Sequence, residues 1–276
     1  MTLFVVLLVC VGIVLLWGYL ETWRVRVIET EFESPSVPET FNGYRIALIG
    51  GLHLRRTSAW TRKSQRILVD LEPDILLVAG NVKPSHKADN ATVHRVLEEF
   101  LKPLEPRDGI LCVRGYRDRK RFWEKPPKDS KMALLSNSHT TVEREGARIC
   151  FLGTETAHAT HLDRGINQVR EAFSKIPSGA GMKILVAPSA DFLRATQGLT
   201  LDLILAADNL HYQIRIPGWG VPRRDSKVPY SWTRGSIREG SLPLFLTLGL
   251  GVRWLPLRVF MRPEIALIKL RRPDCE

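Results

Sequence analysis

Cysteine is scarce in this sequence of 276 residues, and the four cysteines form no metal-binding or disulfide pattern. Cys10 lies in an apolar segment, whereas Cys112, Cys150 and Cys275 are scattered, and no two of them are spaced as CxxC. Disulfide frameworks and cysteine-ligated zinc sites require such pairs. We therefore expect reduced cysteines that pack as small hydrophobic side chains.

Two common catalytic signatures are also missing. The sequence has no GxxxxGK[ST] loop, which excludes a P-loop nucleotide site, and Ser189 does not stand in a GxSxG elbow. No internal repeat or low-complexity tract occurs. Hydrophobic residues make up 44% of the chain, which rules out a disordered or fibrous protein and allows a substantial core.

Charge is absent from Thr2 to Leu20, which reads TLFVVLLVCVGIVLLWGYL. At about 1.5 Å per residue, a helix over this segment matches the thickness of a hydrocarbon core. Trp17, Tyr19 and Trp23 lie at its C-terminal edge, where aromatic rings prefer the headgroup level. A cleaved signal peptide would need a basic start, a shorter apolar run and a small-residue exit. The sequence therefore predicts a transmembrane helix at residues 2–20.

The charges that follow this helix predict its orientation. Arg24 and Arg26 come directly after the apolar segment, whereas the other side offers only the α-amino group. The positive-inside rule then predicts a single-pass protein of the inner or plasma membrane with a cytoplasmic domain. Small residues at Cys10, Gly12 and Gly18 permit close packing against a neighbouring helix. We therefore expect membrane lipids and other membrane subunits as partners, and no nucleic acid.

Downstream, short apolar runs alternate with amphipathic helical patterns. The apolar runs lie at residues 46–49, 75–79, 110–113, 184–186 and 203–205, and a hairpin pattern that turns at Glu145 and Gly146 occupies 140–153. This alternation is typical of βαβ units around a buried sheet. It predicts a layered α/β domain, with central sheets flanked by helices, at residues 43–270. A juxtamembrane segment at 21–42, with a short strand at Arg24 to Ile28 followed by a linker, precedes it, and a tail at 271–276 follows.

One further apolar stretch, Leu242 to Val252, allows two interpretations. It is interrupted by Pro243 and is too short to span a bilayer. It is either a buried strand and loop or a loop that dips into the membrane surface near the helix. The residues predicted to contact lipid or partner subunits are Cys10, Gly12, Trp17, Gly18, Tyr19, Trp23, Leu244, Phe245, Leu246 and Trp254.

Five segments at predicted strand ends occur in a recognisable order. They are IGGLH at 49–53, PDILLVAGNV at 73–82, GILCVRGYRD at 109–118, ILVAPSADF at 184–192 and DLILAADNLHYQIRIP at 202–217. This order resembles the calcineurin-like metallophosphoesterases, in particular a membrane-associated branch that carries GHTHGGQ in the last segment. The resemblance covers nearly all of the chain after the apolar helix and implies a metallophosphoesterase-like sandwich.

In that family two divalent cations are held by Asp, His and Asn side chains, and most of those positions differ here. The resemblance places Gly51 at the first Asp, Asn81 at the bridging Asp, Tyr116 at the Asn, Arg117 at the catalytic His, and Pro188, Asp208 and Leu210 at the late His positions. Only His53 remains of the ligands, together with Asp118, which supports the catalytic His in the family. We expect Asp118 to pair with a nearby Arg or to cap the following helix.

The remaining donors predict that no metal or other cofactor is bound and that the domain is catalytically inactive. Two adjacent dications need anionic oxygen bridges and imidazoles. Gly51 has no side chain, Asn81 is neutral, and Arg117 adds a fixed positive charge. At 4 Å and an effective dielectric of about 20, one such charge against a dication costs about 8 kcal/mol. A mononuclear site of His53, Asp208 and His211 is the weaker alternative.

The chain has 40 Lys and Arg against 29 Asp and Glu, and none of these charged residues precedes Glu21. Basic residues gather where the rim of the family's site would be: Arg55, Arg56, Arg117, Arg119, Lys120, Arg121, Arg223 and Arg224. This basic rim either binds anionic lipid headgroups or forms a solvated face turned to an anionic membrane. The preferred function is an inactive, anchored domain that serves as a structural subunit. The alternatives are a phosphoesterase or pyrophosphatase acting on lipid-linked substrates through a reduced metal site, and a headgroup binder.

Overall fold

Two six-stranded sheets pack face to face behind an N-terminal helix in the computed structural model of the chain. The structure describes residues 1–124, 132–154, 162–207, 213–219, 235–239, 242–253 and 255–274. The helices are α1 (Thr2–Glu21), α2 (Ala59–Asp70), α3 (Asn90–Leu101), α4 (Lys120–Trp123) and α5 (Leu162–Ser174). Short 3-10 helices lie at Glu39–Phe41 and Ala190–Thr196.

The strands divide between the two sheets in a mixed pattern. The first sheet has the order β1-β12-β2-β3-β4-β5 and the second has β10-β11-β9-β8-β7-β6. The strands are β1 (Arg26–Glu33), β2 (Arg45–Ile49), β3 (Ile75–Ala79), β4 (Ile110–Val113), β5 (Met132–Leu135), β6 (Ser138–Arg144), β7 (Ala147–Gly153), β8 (Met182–Ala187), β9 (Leu203–Ala207), β10 (Gly235–Glu239), β11 (Leu242–Thr247) and β12 (Glu264–Arg271). Strands β2 to β5 run parallel, as do β7, β8, β9 and β11.

Both faces of the central strands are covered, which explains their nearly continuous apolar sequences. In β2, Ile46 and Leu48 point into the cluster between the two sheets, whereas Ala47 and Ile49 join the cluster beneath α2 and α3. A third cluster lies between the second sheet and α5. The layers are therefore helix, sheet, sheet and helix, and the predicted layered α/β fold is confirmed.

Strand β1 is longer than the sequence pattern indicated. A short strand was expected at Arg24 to Ile28, followed by a linker, but β1 extends to Glu33 and pairs in parallel with β12. Ile28 and Phe32 pack against the core between the sheets. Much of the segment expected as a linker is therefore an edge strand, since its apolar alternation continues past Ile28.

Strand β11 decides between the two interpretations of the stretch from Leu242. It lies between β9 and β10, and the exposed fractions of Leu244, Phe245 and Leu246 are 1%, 4% and 1%. The expectation that these three side chains contact lipid or a partner is corrected, because side chains inside the core reach neither. Trp254, predicted with them, is outside the described residues.

Helix α1 is, within the part of the chain that the structure describes, the one helix long and apolar enough to cross a membrane. Most of its side chains are exposed, but its last turn packs on the domain. Buried Glu21 accepts a hydrogen bond from Arg262 Nε at 3.0 Å, and Trp60 Nε1 donates to Thr22 O at 3.1 Å. The end of α1 is thus held against the fold by specific contacts.

Candidate functional site at the strand ends

The carboxyl ends of strands from both sheets meet at three glycines. A Cβ atom on Gly80, after β3, would lie 2.6 Å from Gly115 Cα and 3.1 Å from Pro188 Cβ. A Cβ atom on Gly50, after β2, would lie 2.5 Å from Ala207 Cβ of β9. Only glycine permits these approaches. The residues that follow the parallel strands are therefore gathered at one edge, where α/β folds place their ligand sites.

The loops after β2 and β3 are held in an uncommon backbone conformation. Gly51, His53 and Asn81 have φ angles of 56°, 47° and 53°. The two loops bind each other through Gly51 N to Gly80 O at 3.0 Å and His53 N to Asn81 O at 3.1 Å. Non-glycine residues with positive φ are uncommon and gather at functional sites. Together with the convergence of the strand ends, this geometry makes the two loops a candidate functional site.

Asn81 is fully buried at the centre of the strand-end site. Its Oδ1 atom accepts a hydrogen bond from Arg117 N at 3.0 Å. An amide oxygen is neutral, and here one of its lone pairs is occupied by a backbone N–H group. Asn81 therefore braces the loop after β4.

Arg117 places a guanidinium inside this site. The residue is buried, and its Nη1 atom donates to Pro84 O at 3.4 Å. Burial, followed by the charges of Arg119 and Arg117, lowers the pKa of the nearby His86 imidazole. The His86 ring meets the ring of Tyr116 edge-on, with centroids 5.0 Å apart. The surroundings of the site are therefore positive.

Asp118 is a buried carboxylate that organises backbone. Its oxygens accept hydrogen bonds from Val82 N at 3.0 Å, Lys83 N at 2.8 Å and Gly115 N at 3.1 Å. Burial raises the pKa of this carboxyl to about 6, against the lowering effect of those N–H groups. The prediction that Asp118 pairs with an Arg or caps the following helix is wrong. Asp118 instead joins the loop after β4 to the loop after β3, and α4 has no side-chain cap.

The comparisons with known proteins come from sequence and from structure. No family model matches the chain. It is 24% identical over 261 residues to the uncharacterized metallophosphoesterase YkuE of Bacillus subtilis, which covers 92% of this chain and 88% of that protein. Over most of its length the chain is therefore similar to a protein named a metallophosphoesterase.

One further curated protein and one solved structure are similar to part of the chain. A transmembrane protein with metallophosphoesterase domain from Danio rerio is 28% identical over 147 residues, which is 50% of this chain and 32% of that protein. The NAD nucleotidase of Haemophilus influenzae superposes with a TM-score of 0.43 at 13% identity, over 75% of this chain and 50% of that structure. A structural likeness of this size carries no statement about substrate.

The described residues do not fit the family's two-metal centre. Gly51 and Pro188 offer no ligating side chain, Asn81 supplies a bound amide, and Arg117 supplies a positive charge. His53 Nδ1 lies 3.2 Å from Lys83 O. Within the described ranges, no three His, Cys, Asp or Glu side chains are grouped closely enough to hold a metal ion. Asp208, Leu210 and His211, which belong to the predicted positions, are outside those ranges.

The residues predicted to form the basic rim do not all lie on the surface. Arg55, Arg56, Arg119, Lys120 and Arg121 are exposed, so they are accessible to an anionic surface. Arg117 is buried, so its assignment to the basic rim is wrong, and it belongs to the strand-end site. Arg223 and Arg224 lie in a part of the chain that the structure does not describe.

Proposed function

We propose that this chain is a membrane-anchored metallophosphoesterase-fold protein without hydrolase activity, which serves as an accessory or structural subunit of a membrane protein complex. The observation that carries the proposal is the pair of Asn81 and Arg117. At the position that the motif order assigns to the bridging carboxylate, a buried amide binds the backbone of a residue whose own side chain is cationic.

The charges at the positions of the metal ligands support the proposed absence of hydrolase activity. A two-metal hydrolase stabilises two dications with carboxylates and uses them to activate water. In this chain the first carboxylate position is Gly51 and the bridging one is Asn81, while Arg117 adds charge of the same sign as a metal. Repulsion of about 8 kcal/mol per dication at 4 Å, at an effective dielectric of about 20, opposes metal entry. The missing carboxylates at Gly51 and Asn81 also weaken metal binding.

Membrane anchoring is supported by helix α1 and by a relative that is named a transmembrane protein. Exposed apolar side chains along most of α1 match lipid better than water. Arg24 and Arg26 follow the helix, so the domain is assigned to the cytoplasmic side. Protease added to sealed right-side-out spheroplasts should leave the domain intact; digestion there would reverse this topology.

The subunit role is supported by an intact fold. The strands that carry the site remain buried and apolar, so the altered site chemistry has not come with a decayed core. A stable, inert domain on an anchor is useful chiefly as a binding surface. Around Cys10 and Gly12, α1 is exposed and available to a neighbouring helix. Gly18, predicted with them, is instead buried against the same chain, and its carbonyl oxygen accepts a hydrogen bond from Arg258 N at 3.0 Å.

The first experiment measures metal and activity together. Purified full-length protein should contain no stoichiometric Mn, Fe or Zn and should not hydrolyse generic phosphodiesters. The control is the Arg117→His variant, which removes the cation but restores no carboxylate, so it should also remain inactive. One or two metal ions per chain, lost together with activity on chelation, would overturn the proposal. That result would favour a phosphoesterase acting on lipid-linked or phospholipid substrates through a reduced site.

The second experiment tests the subunit role. Membranes are solubilised mildly, and the native chain is compared with a variant whose residues 2–20 are replaced by an unrelated apolar span. The native chain should migrate in a larger complex, and the variant should lose part of it. If both migrate as monomers, the subunit role is wrong. Binding to anionic liposomes that is lost when Arg119, Lys120 and Arg121 are changed to Gln would then support the headgroup binder.

A further inference from the structure

Three of the large apolar side chains that the described part of the domain leaves exposed lie in two adjacent segments. Beyond α1, the described residues expose five of them: Val69, Tyr116, Ile216, Trp219 and Phe260. The exposed fractions of Ile216, Trp219 and Phe260 are 37%, 80% and 51%. These three side chains belong to two segments, 213–219 and 255–261, that are neighbours in the structure.

Backbone hydrogen bonds join the two segments. Ile214 forms a parallel bridge with Val259, through Arg215 N to Val259 O and Val259 N to Gln213 O, each at 2.8 Å. Trp219 N donates to Ile216 O at 3.0 Å and closes a turn. Ile216 and Trp219 thus lie on a turn, and the backbone hydrogen bonds to Val259 hold this turn next to Phe260.

The same segments contact the end of α1. Arg258 N donates to Gly18 O at 3.0 Å, and the rings of Trp17 and Phe260 have centroids 4.7 Å apart. Trp17 precedes Leu20, the last residue of the uncharged span, by three positions, or about 4.5 Å along a helix. Phe260 therefore lies level with the part of α1 that is inside the apolar span.

Buried hydrogen bonds hold these segments to the rest of the domain. The buried guanidinium of Arg258 donates to Gly249 O at 3.0 Å, to Met261 O at 3.0 Å and to Gly251 O. Gly251 N in turn donates to Gly51 O at 2.8 Å, in the strand-end site. A chain of direct bonds therefore runs from α1 through Arg258 to the site.

We propose that Ile216, Trp219 and Phe260 form a membrane-docking surface that enters the bilayer interface beside α1 and holds the strand-end site at a fixed position near the lipid. The proposal rests on α1 being the membrane anchor. Its occupant is the bilayer, because the surface is continuous with α1 and Phe260 stands at the depth of Trp17. Tryptophan and phenylalanine are suited to that interface, since their rings are large and apolar.

The test measures the depth of spin labels in the full chain, reconstituted at a low protein-to-lipid ratio in vesicles of phosphatidylcholine and phosphatidylglycerol. Labels are placed at native Cys10 and, in a Cys10→Ala background, at Phe260→Cys, Trp219→Cys and Val69→Cys. All samples carry Cys275→Ser. Val69 is the matched control, since it is an exposed apolar residue at the far end of α2 from Trp60, which contacts the end of α1. Accessibility to oxygen and to a nickel chelate is compared at each position.

The ratio of oxygen to nickel accessibility should be highest at Cys10, intermediate at positions 219 and 260, and several-fold lower at 69. Ratios at 219 and 260 equal to that at 69, with Cys10 deep, would overturn the docking surface and leave the anchor standing. A shallow Cys10 would overturn the anchor and the docking surface together. Dipolar broadening between labels at 219 or 260 would show a second copy of the chain on this surface and refute lipid as its occupant.

Discussion

Replacing Asp118 by Asn tests whether the surviving carboxylate of the strand-end site is structural. In the folded protein its two oxygens accept three backbone N–H groups, those of Val82, Lys83 and Gly115, in a fully buried position. Asparagine keeps one acceptor oxygen and turns an NH2 group toward the remaining donor. The best orientation keeps the two bonds of Oδ2 and leaves Lys83 N facing another donor.

The expected loss follows from these contacts. One unsatisfied buried donor costs about 1–3 kcal/mol, and the remaining two bonds lose the assistance of the charge. Together these effects predict a loss of about 2–4 kcal/mol in the free energy of unfolding. For a domain of this size such a loss lowers Tm by about 5–15 °C.

Thermal unfolding of the full chain in detergent, followed by near-UV circular dichroism, measures this change. The matched control is Asp89→Asn, because Asp89 caps α3 by accepting Thr92 N at 2.8 Å and asparagine caps helices equally well. The control should lie within about 0.5 kcal/mol of the native chain. If Asp118→Asn is as mild as Asp89→Asn, the assignment of Asp118 as a structural brace is refuted.

Three other substitutions probe neighbouring parts of the structure. Gly115→Ala places Cβ 1.9 Å from Asn81 N and should lower the free energy of unfolding, measured in a urea titration, by about 3 kcal/mol or more. The control is Gly165→Ala, which lies inside α5 with ordinary contacts and should be neutral or stabilising. Equal stability of the two variants would contradict the close approach. Burial is the main cause that lowers the pKa of His94, so the stability of the fold should fall as pH drops below 6.5, the usual pKa of histidine. The variant His94→Gln should weaken this pH dependence in thermal melts at about pH 5 and pH 7.5. An unchanged pH dependence would exclude His94 as its source. Arg258→Lys loses most of the hydrogen bonds that the guanidinium donates, so the free energy of unfolding should fall by about 3 kcal/mol. Proteolysis of the segment 255–261 should become faster. An unaltered cleavage rate would contradict the role of Arg258 in holding this segment.

Local pattern was sufficient for the interior of the fold. The apolar runs at residues 46–49, 75–79 and 110–113 are the strands β2, β3 and β4 within one residue at each end, because strands covered on both faces are nearly continuous in apolar residues. The hairpin turn at Glu145 and Gly146 is also confirmed, with both φ angles positive as a tight two-residue turn requires.

The pairing of distant segments was not predictable in the same way. The parallel pairing of β1 with β12 joins residues about 240 positions apart, and only assembly of the sheet selects that neighbour. The burial of Leu244, Phe245 and Leu246 has the same origin, since an apolar run reads alike whether it faces lipid or a second sheet.

By itself the sequence determined which side chains are present at the strand ends, and hence that Gly51, Asn81 and Arg117 supply no carboxylate. It also determined that one long uncharged segment opens the chain, because composition is a local property. Tertiary structure alone decided what those side chains do: Asp118 braces two loops, and Arg258 links the end of α1 to the site. It also decided which apolar groups stay exposed, because that depends on which surfaces meet in space and not on the order of residues.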